Sequence, residues 1–247
     1  MGEIKYMLKP DWVSWESIRD CINKAHETNR KSGFSMQNPT MSVQELEEYL
    51  RDGYCFVAIL GDKVIGTNSL KIEKSKLWWA KGDDIGYECL TAIDPEYRNT
   101  GAYFGLKQLR TTFAKKKGVK ILQFDTHEDN KNVQALDLKF GFKYVRCYAS
   151  PKTWYYSVIM VKWLDGCPYS DWYCKFRFNL SKFMVKLIWK PGRIVRFLPM
   201  KDSDYMKVYN HYQLCSHEMT IETFCLKNKI NYKKYSKWLD RKGLLER

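Results

Sequence analysis

The sequence predicts an α/β (α+β) fold: a mixed, mostly antiparallel sheet flanked by helices, followed by an all-helical C-terminal appendage. First, 45% of the 247 residues are hydrophobic and 15% are aromatic, which supplies a packed core and excludes disordered and low-complexity classes. Second, helix and strand patterns alternate up to residue 163. Third, a turn-rich stretch at 164–168 is followed by helical patterns alone.

Two helices are predicted ahead of the first strand, at residues 15–30 and 43–50. Apolar residues in the first helix recur at offsets of three and four, which places them on one face. Ser42 precedes the second helix and Glu45 follows three residues later, the arrangement of a capping box. Three strands come next, at residues 55–60, 64–72 and 85–93. The first two flank a Gly-Asp turn and form an antiparallel hairpin.

The rest of the sheet is predicted from alternating patterns. A helix extends to Lys117, where Gly118 ends it, and a second helix is ended by Gly141 in the same way. Strands are expected at 120–126, 142–149 and 154–163, and the second helix is expected at 130–140. The order up to Trp163 is therefore α-α-β-β-β-α-β-α-β-β.

The positive charge is concentrated in the last third of the chain. The protein has 42 basic and 28 acidic residues, a net charge of +14. Residues 1–165 hold 25 basic and 21 acidic residues, whereas residues 166–247 hold 17 and 7. Such a basic segment indicates an anionic partner: nucleic acid, a membrane surface or a phosphorylated ligand. We expect a main domain at 1–165, a linker with a basic helix at 166–200 and a helical segment at 201–247.

The cysteines and the apolar segments predict a reduced, cytoplasmic protein. None of the eight cysteines forms a C-x-x-C pair, so no metal site is predicted. The first residues lack the apolar region of a signal peptide, and no segment is apolar for long enough to span a bilayer.

The segment that predicts chemistry is the turn between the strand at 85–93 and the next helix. A glycine at such a turn lets backbone amides converge at a positive helix N-terminus, which forms an anion site. Arg98 and Gly101 match the first and fourth positions of the acetyl-CoA loop of the GNAT N-acetyltransferase superfamily, which this segment resembles. The resemblance extends over residues 4–163. It implies cofactor contacts by Ile93, Arg98, Asn99, Thr100, Gly101, Ala102, Tyr103 and Asn130.

Two positions depart from the family pattern. Tyr103 stands where a small residue is usual, so its side chain must point away from the phosphates or the helix start must shift. The segment 130–142 resembles a second family motif, but Asp137 stands where the family often has the Tyr assigned to protonating the thiolate. An ionised Asp cannot donate a proton. Either burial raises its pKa or Asp137 is not the acid; we favour an exposed helix residue.

The resemblance implies an enzyme that transfers an acetyl group from acetyl-CoA to a primary amine by direct attack. The acceptor is an unidentified small molecule or protein. Backbone amides at a splay between the strands ending near Ile93 and Thr126 would stabilise the oxyanion. Glu88 and His127 are the candidate bases, Asp137 completes the candidate catalytic set, and Tyr87 is a candidate for lining the acceptor site. Further candidates for acceptor contact are His26, Asn29, Met36, Trp78 and Trp79.

The alternative is a catalytically degenerate protein of this fold that senses CoA or binds DNA. Tyr103, Asp137 and the charge of the C-terminal third favour it. Residues 220–239 resemble a small helix-turn-helix unit with a core of Phe224, Ile230, Tyr235, Trp238 and Leu239. Such hairpins also occur as plain structural appendages. The candidates for phosphate contact, which would make any DNA binding weakly specific, are Lys233, Lys234, Lys237, Arg241 and Lys242. An oligomer is also compatible with the sequence.

Residues 173–190 are predicted to form an amphipathic helix with a basic face. The basic residues are Lys175, Lys182, Lys186 and Lys190. The apolar residues at offsets of three and four are Tyr173, Phe176, Leu180, Phe183 and Leu187. This apolar face fits either an anionic membrane surface or the main sheet, and we favour docking on the sheet.

Overall fold

A computed structural model describes residues 2–31, 41–75, 77, 80, 82–149, 155–188, 200–214, 216, 219–228 and 230–245. The strands are β1 (Ile4–Leu8), β2 (Gly53–Leu60), β3 (Lys63–Lys74), β4 (Asp84–Ile93), β5 (Ile121–His127), β6 (Lys143–Ala149) and β7 (Tyr156–Trp163). The helices are α1 (Trp15–Lys31), α2 (Val43–Tyr49), α3 (Ala102–Lys116), α4 (Lys131–Lys139), α5 (Asp171–Ile188), α6 (Asp202–Gln213), α7 (Ile221–Lys227) and α8 (Tyr232–Lys242).

The seven strands form one sheet in the order β1-β2-β3-β4-β5-β7-β6. The β4–β5 pair is parallel and the other pairs are antiparallel, which confirms the predicted mixed, mostly antiparallel sheet. The sequence prediction missed β1. This strand has five residues and pairs along its length with β2, from Ile4 opposite Leu60 to Leu8 opposite Phe56. A strand this short depends on its neighbour more than on its own pattern.

The parallel pair β4–β5 separates part of the way along its length. Pairing runs from Ile85 opposite Ile121 to Tyr87 opposite Gln123 and then stops, whereas β5 stays paired with β7 as far as His127. On the other side of β4, the register with β3 shifts around Asn68. The two central strands therefore splay apart, as predicted.

The register shift is a β-bulge in β4. Leu90 has a φ of +52° and lies with Thr91 between the paired residues Cys89 and Ala92. The Asn68 side-chain amide donates to the Thr91 hydroxyl at 2.5 Å and fixes this bend from the neighbouring strand. Bulges of this kind redirect the backbone and its amides near functional sites.

Helices cover both faces of the sheet. On one face α1 and α2 contribute Ile18, Ile22 and Leu46 to a core with β2, β3 and β4. On the other face α3 contributes Leu106 to a second core. At Gly105, α3 approaches β1 so closely that a Cβ atom would collide with the ring of Tyr6.

Helix α5 docks on β6, but through a different face from the one predicted. Cys174 is buried, the Phe178 ring stacks on Tyr144 with centroids 4.7 Å apart, and the Cys147 amide donates to the Ser181 hydroxyl at 2.9 Å. Of the five residues predicted to dock, Tyr173 is half-buried, whereas Phe176, Leu180, Phe183 and Leu187 are exposed. That prediction was wrong because apolar residues occupy more than half of the helix circumference, so spacing alone cannot select the buried side.

The C-terminal helices α6, α7 and α8 share a separate core. Val208 of α6 packs with all five residues predicted for it, which are Phe224, Ile230, Tyr235, Trp238 and Leu239. The Trp238 indole donates to the Asp202 carboxylate at 3.1 Å and ties α8 to the start of α6. The helix-turn-helix resemblance and its nucleic-acid contact stay predictions. Among the described helices, none has the length and apolar character needed to cross a membrane.

Candidate functional site

The turn after β4 is anchored to α1. The Asp94 carboxylate accepts the Glu96 amide at 3.0 Å and pairs with Lys24 and Lys63, each at 3.2 Å. Burial alone would raise the pKa of Asp94, but these hydrogen bonds hold it below its usual range. The Arg98 guanidinium donates to the Ala25 carbonyl at 2.9 Å. The turn is therefore held in one position, and a direct cofactor contact by Arg98 stays a prediction.

The first turn of α3 presents backbone amides. Gly101 is the N-terminal cap of the helix, with φ +87°, and its position lacks a side-chain capping bond. The first hydrogen bond of the helix runs from the Gly105 amide to the Gly101 carbonyl at 3.0 Å. The amides of Ala102, Tyr103 and Phe104 precede that bond, and such groups have no acceptor within the helix. Such amides and the helix dipole attract anions, which is the chemistry that a pyrophosphate requires; contact with a pyrophosphate stays a prediction.

Tyr103 turns its side chain away from that turn. Its hydroxyl donates to the Asp137 carboxylate at 2.8 Å, so the ring crosses from α3 to α4. Of the two alternatives for Tyr103, the structure thus has the side chain directed away from the first turn of α3. The two residues that depart from the family pattern are thus bonded to each other.

Asp137 belongs to a buried charge network that consists of Glu88, Lys107, Arg110 and Asp137. Its exposure is 0%, so the interpretation as an exposed helix residue was wrong: α4 turns this position onto α3. The Lys107 ammonium lies 2.7 Å from Asp137 Oδ1 and 2.6 Å from Glu88 Oε2, and Arg110 also pairs with Glu88. Two cations and two anions balance within a space that excludes water.

The network shifts the protonation of its neighbours. Burial raises the pKa of Asp137, the Glu88 carboxylate adds to the effect, and the Lys107 ammonium opposes it. Burial and Asp137 also raise the pKa of the Tyr103 phenol, which is a neutral donor at pH 7. Glu88 lies on the α3 side of β4, where both cations engage the same carboxylate oxygen. Its role as a base stays a prediction.

The opposite face of the splay carries an aspartate that the sequence analysis missed. Asp125 of β5 accepts hydrogen bonds from the Tyr148 hydroxyl, at 2.9 Å, and from the Tyr87 hydroxyl. Burial and Asp125 raise the pKa values of Tyr87 and Tyr148, and they raise that of Tyr155 to about 12. We call Tyr87, Asp125, Tyr148 and Tyr155 the tyrosine–aspartate cluster. The available sequence signal was an acidic residue directly after the apolar Phe124 within a predicted strand.

His127 lies at the end of β5, beside this cluster. Its Nδ1 atom accepts the Asp129 amide at 3.0 Å, and its ring contacts that of Tyr155 in a tilted arrangement with centroids 4.5 Å apart. Burial lowers the pKa of His127. The imidazole is therefore neutral at pH 7, and the accepting Nδ1 leaves the proton on Nε2.

Lowering the pH from 7 is expected to reduce the free energy of unfolding more in the unsubstituted protein than in the His127→Gln variant. The folded-state pKa is depressed, so the unfolded chain binds the proton first once the pH falls below about 6.5. The contribution is present above that value and is lost as the pH falls through the folded pKa. Urea unfolding midpoints from pH 7 downward test this; equal slopes for the two proteins would contradict it.

The remaining predicted cofactor residues flank the same region. Asn130 donates through its side chain to the Thr126 hydroxyl at 3.2 Å and so shapes the turn from β5 to α4. Ile93 packs against the α3 core at the end of β4. Met36, Trp78, Trp79 and the side chain of Asn29 lie outside the described residues.

An amide site at the start of α3, beside a splayed parallel strand pair, defines an acyl-CoA-dependent transferase fold. Residues 15–142 match the model of the acetyltransferase (GNAT) family, and this match spans more than half of the chain. The protein therefore belongs to the GNAT family of acyl-CoA N-acyltransferases, whose co-substrate is acetyl-CoA.

Solved structures of low identity share the fold. The ribosomal-protein-S18-alanine N-acetyltransferase of Escherichia coli is 14% identical over 67% of this chain and 96% of its own, with a TM-score of 0.51. An N-acetyltransferase of Staphylococcus aureus Mu50 is 10% identical, covering 67% and 100%, with a TM-score of 0.53. A NatC complex bound to Gag peptide and CoA is 14% identical, covering 65% and 98%, with a TM-score of 0.52. The search of curated proteins found no match.

Proposed function

We propose that this protein transfers the acetyl group of acetyl-CoA directly to a primary amine. The observation that carries the proposal is the uncapped first turn of α3 at the carboxyl end of β4, where β4 and β5 separate. Its amides suit the pyrophosphate, and the splay leaves room for the thioester to pass between the strands. The β4 bulge at Leu90 and Thr91 is the proposed source of the amide that stabilises the oxyanion.

The acceptor amine is proposed to bind at the tyrosine–aspartate cluster. Asp125 supplies a carboxylate on the face of the sheet opposite the buried charge network, and the surrounding phenols are neutral. A carboxylate attracts an ammonium group, and aromatic rings around it favour the same charge. The amine must lose a proton before it attacks, and the Asp125 carboxylate is the proposed acceptor of that proton.

Glu88 and Asp137 act, in this proposal, as positioning residues. Both carboxylates are paired with cations of α3, and Asp137 also holds Tyr103 at the first turn of that helix. They keep the anion-binding amides in place from the α3 side. His127 borders the acceptor cluster through Tyr155 and remains a candidate for proton transfer.

Replacing the glycine at each end of α3 by alanine tests the proposed cofactor site. Gly101 and Gly118 both have a positive φ, +87° and +76°, and a Cβ atom would meet no neighbour within 4 Å at either. Alanine therefore costs a similar strain of about 1–2 kcal/mol at both positions. We expect Gly101→Ala to weaken acetyl-CoA binding about ten-fold by moving the first-turn amides, and Gly118→Ala to leave it unchanged.

The measurement is isothermal titration with acetyl-CoA and with CoA. Equal affinities for the two variants would contradict the placement of the pyrophosphate. Failure of the unsubstituted protein to bind either compound would overturn the proposed function and favour a fold without catalysis. With binding established, release of the CoA thiol in the presence of primary amines then tests transfer.

A further inference from the structure

The outward face of α5 carries a continuous apolar strip. Trp172 is 71% exposed, Phe183 is 63% exposed, and the rings of Trp172 and Phe176 stack in parallel with centroids 5.4 Å apart. Leu180, Met184 and Leu187 are also exposed, so the strip runs along the helix for most of its length. We call these six residues the α5 strip. Isolated exposed apolar residues are ordinary on a protein surface, but a contiguous patch marks an interaction site.

The helix that carries the strip is held rigidly. Its opposite face packs on β6 through Cys174 and Phe178, and Ser181 accepts the Cys147 amide. Near its C-terminal end, Lys186 pairs with Glu128 at 2.7 Å. Because one face is engaged with the sheet, α5 cannot turn the strip inward.

Basic residues border the strip. At about 100° per residue, Lys175 and Lys182 fall along one edge and Arg177 along the other. Lys186 shares the first edge but is paired with Glu128. Between Trp172 and Ile188 the sequence contains no acidic residue. A partner surface that covers the strip therefore meets positive charge on both sides.

We propose that the α5 strip binds the surface of an anionic lipid bilayer, with the helix lying in the plane of the interface. Tryptophan, phenylalanine and leucine on one face and lysine or arginine beside them are the pattern of interfacial helices. The apolar residues enter the boundary between head groups and acyl chains, and the basic edges meet the anionic head groups. This inference concerns a surface separate from the cofactor and acceptor sites and does not depend on catalysis.

The charge pattern favours a bilayer over a second copy of this chain. Two copies that paired their strips about a two-fold axis would bring the basic edges of both helices together. The helix itself has no acidic residue between Trp172 and Ile188, and Glu128 pairs with Lys186 alone among the lysines of the edge. Like charges next to each other at an interface oppose association. An anionic surface has no such conflict.

Vesicle flotation of the full chain tests the proposal. The probes are vesicles of phosphatidylcholine alone and of phosphatidylcholine mixed with phosphatidylglycerol, at low and at high salt. The strip variant is Trp172→Ser with Phe183→Ser. The matched control is Trp12→Ser, because Trp12 is 64% exposed and lies outside the strip.

We expect the unsubstituted protein to float with the anionic vesicles, less so at high salt, and the strip variant to bind about ten-fold more weakly. Trp12→Ser should bind as the unsubstituted protein does. Absence of binding to anionic vesicles, equal binding to neutral ones, or full binding by the strip variant would overturn the proposal. A dimer in solution that the strip variant converts to a monomer would also overturn it, in favour of a second copy.

Discussion

Glu88→Gln is expected to lower the free energy of unfolding by about 3–5 kcal/mol, because it leaves buried cations without their partner. Glu88 is 3% exposed and pairs with Lys107 and with Arg110. Glutamine keeps the size of the side chain and removes its charge. The network then holds two cations and one anion in a space closed to water. Chemical denaturation of the two proteins, with equal denaturant slopes, measures the difference.

A control substitution at an exposed glutamate separates the loss of a buried charge from the effect of placing glutamine in a strand. Glu73 lies on the neighbouring strand β3 and is exposed, so Glu73→Gln should change the free energy of unfolding by less than about 0.5 kcal/mol. A second change tests the cause: Arg110→Gln should be less damaging in the Glu88→Gln background than alone, because it restores the charge balance. Undiminished stability of Glu88→Gln with loss of activity would instead identify Glu88 as the base.

Asp125→Asn is expected to lower kcat/KM for the amine acceptor by about 10²–10⁴-fold, the range associated with a lost proton acceptor. The asparagine side chain still accepts a hydrogen bond from Tyr148 or Tyr87, so the cluster should keep its shape. The affinity for acetyl-CoA should not change, because α3 packs on the face of the sheet opposite Asp125. Steady-state kinetics with any accepted amine, combined with acetyl-CoA titration, makes the measurement.

Two further variants sharpen this test. Asp129→Asn removes a nearby carboxylate whose side chain is 63% exposed, and it should leave the kinetics unchanged. Tyr148→Phe removes one hydrogen bond to Asp125 and should have a smaller effect than Asp125→Asn. Retention of full activity by Asp125→Asn would place the acceptor elsewhere, and loss of acetyl-CoA affinity would show that the variant disturbs the cofactor site.

Local sequence signals predicted the elements that frame the site. Ser42 and Glu45 form the capping box that their spacing indicated, and Gly101 takes the left-handed conformation that its turn requires. These features depend on residues within one turn of each other, so the sequence is sufficient to find them. Strand β1 was not predicted, because its five residues form a strand through their pairing with β2.

Side-chain partners were harder to predict than elements. Alternation along β4 places Tyr87 and Glu88 on opposite faces, but it cannot tell which face meets α3. The sequence predicted Asp137 at the surface. In the structure its carboxylate bonds to the Tyr103 hydroxyl, which belongs to a residue 34 positions earlier in the chain. Asp125 gained its significance from Tyr87 and Tyr148, which belong to two other strands.

Family membership could be predicted from the sequence, whereas the side-chain contacts of the candidate site could not. The sequence alone predicted the fold class and the family, because those depend on short motifs and on the order of elements. The packed structure decided that Glu88 and Asp137 are buried in ion pairs, that Asp125 accepts hydrogen bonds from Tyr87 and Tyr148, and that α5 presents an apolar strip. Each of these outcomes depends on which faces meet when distant segments pack, and spacing along the chain does not encode that choice locally.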